Sequence, residues 1–334
     1  MQERKSPYQI AAIVGICKNA GKTTILNHII AQDPRCRYGL MSTGIDGEDF
    51  DLVYGTQKPK VKLSQGSLLI CDQETADSSG SGLKILSQAP GTSGRKLLVA
   101  EAAEDIETKI TGPGSVDEQI RCAKALLAEG ADSVLIDGSL DRKSIALSEV
   151  VEHLILAIGA AYGSGETVQK ELNRLMLLNS LEPDPLLSKT VRSRLLESRE
   201  LCLLESGKWR KTTHETLFGA EQSFVELLQN QGSEYTSYIP GAFTETSFAK
   251  LKPFLKSANA KLIFRHPESI KLSLLQLKEL LSIARIRVLI PFRIKEFYLN
   301  TWSPGINQRD ADSFRSLIRE SFPELNFIDL WELI

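Results

Sequence analysis

Features that define several protein classes are missing from this sequence. Its five cysteines are scattered without a Cys-x-x-Cys pair, which argues against a thiolate zinc site and indicates a reducing compartment. Its four histidines form no cluster that would support a metal site. No apolar run reaches 18 residues, because the longest, around 150–163, is broken by Glu152 and His153. A membrane-spanning helix is therefore not expected.

A strong charge imbalance is also missing. The net charge of -2 over 334 residues argues against a general nucleic-acid binder. The polar start, Met1–Pro7, and the short apolar run behind it do not fit a signal peptide, so we expect a cytoplasmic protein. With 42% hydrophobic residues and this length, the chain can build two or three domains with a large core.

What the sequence does have is a glycine loop, Gly15–Thr24, between two apolar runs. The run before it, Ile10–Val14, predicts a strand, and the run after it, Ile25–Ile30, predicts a helix. Backbone N–H groups in such a loop surround an anion at the start of the helix. Lys22 would reach the β- and γ-phosphates of a nucleotide, and the Thr23 hydroxyl would coordinate Mg²⁺. The alternative is a chance Gly-Lys-Thr in an ordinary turn.

The predicted nucleotide contacts come from most of this loop. No Asn-Lys-x-Asp sequence, which would read guanine, occurs in the chain, and this favours ATP over GTP. The residues predicted to bind the nucleotide are Gly15, Asn19, Ala20, Gly21, Lys22, Thr23 and Thr24.

The spacing of the loop carries a resemblance. Five residues, Ile16 to Ala20, separate the two glycines, where the common phosphate loop has four. The loop resembles the dethiobiotin synthetase type in the signal-recognition/MinD/BioD class of P-loop NTPases. That resemblance implies a Mg²⁺-dependent ATPase. Other members carry a signature lysine at the position of Cys17, and Lys18 follows one residue later. Lys18 is therefore a candidate catalytic residue that would act across a homodimer or partner interface.

Two acidic positions are candidate metal ligands. A predicted strand at Arg37–Gly44 runs into the acidic loop Ile45–Asp51, in which Asp46 is the first choice and Asp49 the second. The alternative there is a solvated turn. A second predicted strand, Ser133–Asp137, ends in Asp137 before a glycine, as a Walker B element does. Lys22 and Asp46 complete the predicted catalytic set, and Thr23, Asp46 and Asp137 the predicted metal set.

Two further loops have alternative interpretations. The Thr111–Ser115 loop precedes a predicted helix over 116–129, and it is either a capped helix start or a loop that binds a substrate or a second nucleotide. Asp141 and Arg142 are either a catalytic pair or the cap and first turn of a helix.

The predicted fold is α/β, with a doubly wound, mostly parallel sheet and a second α/β unit. Two prolines within Glu182–Pro185 mark the boundary, which gives domains 1–185 and 186–334. Lys60–Leu63 and Ser67–Cys71 are interpreted as an added hairpin. The C-terminal unit is predicted to include strands at Glu296–Asn300 and Leu325–Leu330, and it shows no phosphate loop. The loop Asn300–Gly305 is interpreted as a turn or a ligand loop.

A narrower resemblance rests on Gly15–Thr24, Thr43–Glu48 and Ile136–Arg142. These segments are similar to the P-loop reactivase subunit of adenosylcobalamin-dependent lysine aminomutases. This implies an ATP-driven chaperone that exchanges damaged cobalamin on a mutase, although no Asp-x-His-x-x-Gly cobalamin motif is present. Two functions stay open: a nucleotide-driven switch on a protein partner, and a small-molecule kinase or ATP-dependent ligase of the dethiobiotin synthetase type.

Overall fold

The structure is a computed structural model that describes residues 8–43, 60–91, 96–138, 145–229, 234–257, 259–302 and 308–332. The chain forms two compact units. The first comprises Met1–Gln169 and Arg293–Ile334, and the second comprises Lys170–Phe292. The acidic loop with Asp46 and Asp49, and the pair Asp141 and Arg142, lie outside the described residues.

The first unit takes its elements from both ends of the chain. Up to the unit boundary they are β1 (Ile10–Gly15), α1 (Lys22–Gln32), β2 (Tyr38–Ser42), β3 (Val61–Leu63), β4 (Leu68–Asp72), α2 (Gln73–Ser79), β5 (Leu83–Gln88), β6 (Leu97–Ala102), β7 (Ile106–Thr108), α3 (Val116–Ala128), β8 (Ser133–Asp137), β9 (His153–Gly159) and the start of α4 (Gly165–Asn179).

The second unit follows α4. Its elements are α5 (Lys189–Glu197), β10 (Cys202–Glu205), β11 (Lys208–Lys211), α6 (Glu221–Gln229), β12 (Glu234–Ile239), β13 (Phe243–Thr244), α7 (Glu245–Ser257), β14 (Asn259–Phe264), β15 (Ile270–Lys271), α8 (Leu274–Ile283) and β16 (Arg285–Val288). The chain then returns to the first unit with β17 (Ile294–Asn300), α9 (Gln308–Ser321) and β18 (Phe327–Asp329).

The first unit is built on a mixed nine-stranded sheet. The strand order is β18-β17-β9-β1-β8-β2-β4-β6-β5, and the seven strands from β18 to β4 are parallel. β6 runs antiparallel to both of its neighbours. All seven residues of β9 are buried, as expected for a central parallel strand covered on both faces. Helix α1 buries Ile25, Leu26, Ile29 and Ile30, at helical spacing, in the core of this unit.

The second unit is built on a five-stranded sheet in the order β11-β10-β12-β14-β16. β12, β14 and β16 are parallel, and β10 and β11 add an antiparallel hairpin at the β12 edge. Tyr238, Phe224, Phe243 and Phe264 are its largest fully buried side chains. The predicted second α/β unit is therefore present, but its bounds differ from 186–334.

The boundary differs because the last strands pair elsewhere. β17 lies beside β9, with Phe297 opposite Leu156, and β18 lies beside β17. Residues 293–334 thus extend the first sheet rather than the second. The two prolines near residue 185 lie after the end of α4 at Asn179, and they do not indicate which sheet a later strand joins.

The predicted hairpin is also corrected. β3 pairs with β7, while β4 joins the large sheet in parallel with β2, with Leu69 opposite Leu40. β4 is almost entirely buried, whereas the middle residue of β3 is exposed. A short turn between two apolar runs favours a hairpin locally. The apolar side chains of β4 are buried more completely in the large sheet than they would be in a two-stranded hairpin.

Candidate functional site

The glycine loop follows the central strand of the first unit. β1 lies between β9 and β8, and the carboxyl ends of these parallel strands share one edge of the sheet. In an open α/β sheet, ligands bind beyond that edge. The order of strands in the sheet therefore brings the glycine loop, the end of β8 and the end of β9 together.

The path of the loop depends on two residues with positive φ, Asn19 at 61° and Gly21 at 90°. The N–H of Ile16 donates to the carbonyl of Ala157 at 3.1 Å, which prolongs the contact with β9. Ala20 is fully buried, and a Cβ on Gly159 would lie 2.8 Å from the Ala20 Cα. The loop is therefore packed against the end of β9, and only a glycine at position 159 permits this approach.

Helix α1 begins directly after the loop with an open amino terminus. The Ile25 N–H donates to the Gly21 carbonyl at 3.0 Å. No side chain in the described part of the chain caps this helix, and its first turn holds no acid. By contrast, Ser115 caps α3 and Ser273 caps α8. The N–H groups at the start of α1 are thus arranged as in sites that bind anions.

The loop side chains differ in exposure. Lys18, Asn19 and Thr24 are exposed, whereas Lys22 and Thr23 are half-buried. The Lys22 Cγ lies 3.5 Å from the place where a Cβ on Gly15 would stand, so the lysine stem folds back over that glycine. Burial raises the pKa of the Cys17 thiol, and the Lys22 ammonium lowers it by a smaller amount. Cys17 therefore stays a neutral thiol at neutral pH and adds no negative charge to the loop.

Thr23 and Asp137 meet across the site. The Thr23 hydroxyl donates to the Asp137 Oδ2 at 3.3 Å. The reason is topological: β8 neighbours β1, with Asp137 opposite Ile13, and the Gly138 N–H donates to the Ile13 carbonyl at 2.9 Å. Asp137 is half-buried. A hydroxyl and a carboxylate at this spacing can share the coordination shell of Mg²⁺, which usually keeps several waters and one or two carboxylates.

The Thr111–Ser115 loop lies at the carboxyl end of β2. The Thr111 N–H donates to the Ile70 carbonyl at 3.0 Å, and the Thr111 carbonyl accepts from the Ser42 N–H at 3.1 Å. A Cβ on Gly112 would lie 1.7 Å from the Ser42 carbonyl oxygen, so this approach requires glycine. The predicted cap is confirmed, because the Ser115 Oγ accepts from the Glu118 N–H.

A buried glutamine ties three loop ends together at this edge. Gln119 donates to the Thr43 carbonyl at 3.1 Å and to the Pro113 carbonyl at 3.0 Å, and it accepts from the Ile145 N–H at 2.9 Å. These atoms flank the acidic loop, the Thr111–Ser115 loop and the segment after Asp137. The sequence analysis did not identify Gln119 as a site residue. The pattern that indicates it is a polar residue on the buried face of α3, which it shares with Cys122, Ala123 and Leu126.

One residue outside the predicted set, Asn300, also contacts the glycine loop. The Asn300 amide, at the end of β17, donates to the Asn19 carbonyl at 3.5 Å. A Cβ on Gly21 would lie 3.0 Å from the Asn300 Nδ2. The sequence leaves Asn300 in a turn or a ligand loop of the C-terminal unit, because the strand beside β17 cannot be foreseen from the sequence.

The close approach of Gly21 and Asn300 predicts a difference between two glycine substitutions. Gly21 and Gly66 share nearly the same φ, 90° and 86°, but a Cβ on Gly66 meets nothing within 4 Å. We expect Gly66→Ala to cost about 1 kcal/mol through its left-handed backbone alone. Gly21→Ala should cost about 1 kcal/mol more, because Asn300 must shift. Urea unfolding measures both, and equal losses would contradict the contact.

Comparison with known proteins does not assign the chain to a family. No protein-family model matches the sequence, and no curated protein matches it. Among the described helices, none has the length and apolar character needed to cross a membrane. In the same residues, no group of three or more His, Cys, Asp or Glu side chains is placed to hold a metal ion.

Proposed function

We propose that the first unit is a doubly wound P-loop domain that binds Mg-ATP and hydrolyses it. The observation that carries this proposal is the Thr23–Asp137 contact of 3.3 Å, since it joins the Gly-Lys-Thr sequence to a strand-end carboxylate. Chance Gly-Lys-Thr turns have no reason to meet such a carboxylate. The uncapped start of α1 and the half-buried Lys22 support the same assignment.

In this proposal the start of α1, Lys22, Thr23 and Asp137 each have a role in phosphoryl transfer to water. The N–H groups at the start of α1 hold the phosphates, and the Lys22 ammonium offsets their charge. Thr23 and Asp137 would hold Mg²⁺ directly or through water. Water attacks the γ-phosphorus, the bond to the β-γ bridging oxygen breaks, and ADP and phosphate leave. Asp46 stays a candidate for the metal or the attacking water, outside the described residues.

The output that we propose is a nucleotide-driven switch on a protein partner, such as the reactivation of a cobalamin-dependent aminomutase. Lys18 supports this, because it is exposed beside Asn19, whose φ is positive, at the outer face of the glycine loop. A lysine there is available to a second subunit or to a partner, where its charge would stabilise the transferring phosphoryl group.

One observation favours the alternative, a small-molecule kinase or ATP-dependent ligase. The Thr111–Ser115 loop lies at the end of β2, one strand beyond Asp137 on β8, and Gln119 holds it there. A rigid loop at this edge would suit a small substrate that receives the phosphoryl group.

The rate of ATP turnover distinguishes the switch on a protein partner from the kinase or ligase. We expect slow hydrolysis by the full chain alone and an increase with an adenosylcobalamin-dependent aminomutase. Lys18→Ala should spare ATP binding but reduce the stimulated rate. Lys84→Ala, an exposed lysine on β5 at the far edge of the sheet, is the matched control and should change neither. Fast turnover of the isolated protein with a small carboxylic acid or amine, and no partner effect, would move the protein to the kinase or ligase class.

A further inference from the structure

Two exposed tryptophans lie together at the ends of β17 and β18. Trp302 is 48% exposed and Trp331 is 45% exposed. Their ring centroids are 6.4 Å apart, with an angle of 31° between the planes. Leaving two large aromatic side chains in water forgoes the free energy of burying them, so their exposure calls for a binding partner.

Buried polar groups hold the backbone that presents this pair. Asp329, at the end of β18, is 1% exposed. Its Oδ1 accepts from the Trp331 N–H at 2.9 Å and from the Thr301 hydroxyl at 3.5 Å, and its Oδ2 accepts from the Arg315 Nε. The Arg319 guanidinium binds both oxygens of Glu332. The tryptophans are therefore presented by a rigid support, as a preorganised binding site requires.

One buried amide links the pair to the glycine loop. Asn300 is 8% exposed, and its Oδ1 accepts from the Trp331 Nε1 at 3.1 Å and from the Trp302 N–H at 3.3 Å. Its Nδ2 donates to the Asn19 carbonyl at 3.5 Å. A surface that binds only another protein would not need the hydrogen bond from Asn300 to the glycine loop.

The sheet order gives the direction in which a ligand would extend. Asp137 lies on β8, on one side of β1, while β17 and β18 lie on the other side beyond β9. β17 is two strands from β1, roughly 10 Å away. A nucleotide with its terminal phosphates and Mg²⁺ near Asp137 would have its base on the β17 side.

We propose that Trp302 and Trp331 form the platform on which the purine base of the bound nucleotide stacks. This rests on the proposed function, because the phosphates must occupy the glycine loop. Stacking on an indole ring is tolerant of base identity, and the hydrogen bonds of Asn300 fix the position of the pair relative to the glycine loop.

Two ligands separate the platform from the phosphate site. Mg-ATP carries a base, and Mg-tripolyphosphate does not. In calorimetry on the full chain, Trp302→Ala and Trp331→Ala should each weaken Mg-ATP about tenfold and leave Mg-tripolyphosphate unchanged. Trp331→Phe keeps a ring that can stack but loses the indole N–H that binds Asn300, so its loss of affinity should be smaller than that of Trp331→Ala. Trp209→Phe, on β11, replaces the third tryptophan of the chain as the control.

Fluorescence gives a second readout that needs only folded protein. Mg-ATP should quench the tryptophan emission of the wild type and of Trp209→Phe, and each of Trp302→Phe and Trp331→Phe should lose part of the quench. If the alanine variants do not fold, the loss of quenching in the phenylalanine variants tests the platform.

The outcomes distinguish the two proposals. If ATP binds in a manner that depends on Lys22, but the tryptophan variants change neither affinity nor quenching, only the platform is overturned. If the alanine variants keep their ATP affinity but lose stimulation by a protein partner, the pair is a partner surface, and the platform is again overturned. If the wild type binds neither ligand, the proposed function fails, and the platform fails with it.

Discussion

Lys22→Ala is expected to weaken Mg-ATP binding to the full chain by roughly 100-fold or more. Lys22 is the first residue of α1 and is half-buried, with its Cγ close to Gly15, so we expect its ammonium to reach the β- and γ-phosphates of the proposed nucleotide. Hydrogen bonds to charged groups contribute about 1.5–3 kcal/mol each, and two of them account for a loss of this size. Alanine is a good helix former, so the fold should be retained.

Calorimetry with Mg-ATP measures this loss, and urea unfolding checks the fold. Lys18→Ala is the matched control, because it removes the same charge from the same loop at an exposed position. We expect its affinity for ATP to stay within a few-fold of the wild type. An unchanged affinity in Lys22→Ala would show that the glycine loop is not a phosphate site.

The local parts of the candidate site could be predicted from the sequence. An apolar run, a glycine loop and a second apolar run specify β1, the loop and α1 within a few residues of each other, so no distant partner is needed. Asp137 could be placed at a strand end because a buried parallel strand is a short apolar run followed by a turn. Its contact with Thr23 follows only if β8 neighbours β1, which the sequence suggests through resemblance but does not determine.

The parts that depend on strand pairing could not be predicted. β17 resembles any half-buried strand, and nothing in its own pattern shows that it pairs with β9, about 140 residues earlier, rather than with β16. One clue was available: the unbroken apolar run Leu154–Ile158 is typical of a central strand with neighbours at both edges, and residues 1–185 offer β1 for one edge alone. Asn300 was placed in the wrong unit for this reason.

Two helices include residues that argue locally against a helix. The Ser- and Gly-rich stretch Asp77–Gly82 is typical of a turn, yet α2 includes Asp77–Ser79, and the Asp72 carboxylate caps this helix by accepting from the Thr75 N–H. An internal proline usually ends a helix, yet α7 continues through Pro253. A short polar sequence or an internal proline argues against a helix, but a cap and a buried face outweigh it.

Asp137→Asn is expected to reduce Mg²⁺-dependent ATP hydrolysis roughly 10- to 100-fold while leaving stability almost unchanged. Asparagine keeps the shape and an oxygen that accepts from the Thr23 hydroxyl, so the 3.3 Å contact can persist, but the charge that would hold the proposed metal is lost. Asp132→Asn is the control, because Asp132 precedes the other end of β8 and accepts from the Arg37 N–H at 2.8 Å. Steady-state hydrolysis over a Mg²⁺ titration, with melting temperatures for both variants, measures the effect. Higher Mg²⁺ should recover part of the rate in Asp137→Asn, since a weakened metal site fills at higher concentration. A large drop in melting temperature with intact hydrolysis would instead make Asp137 a structural turn residue.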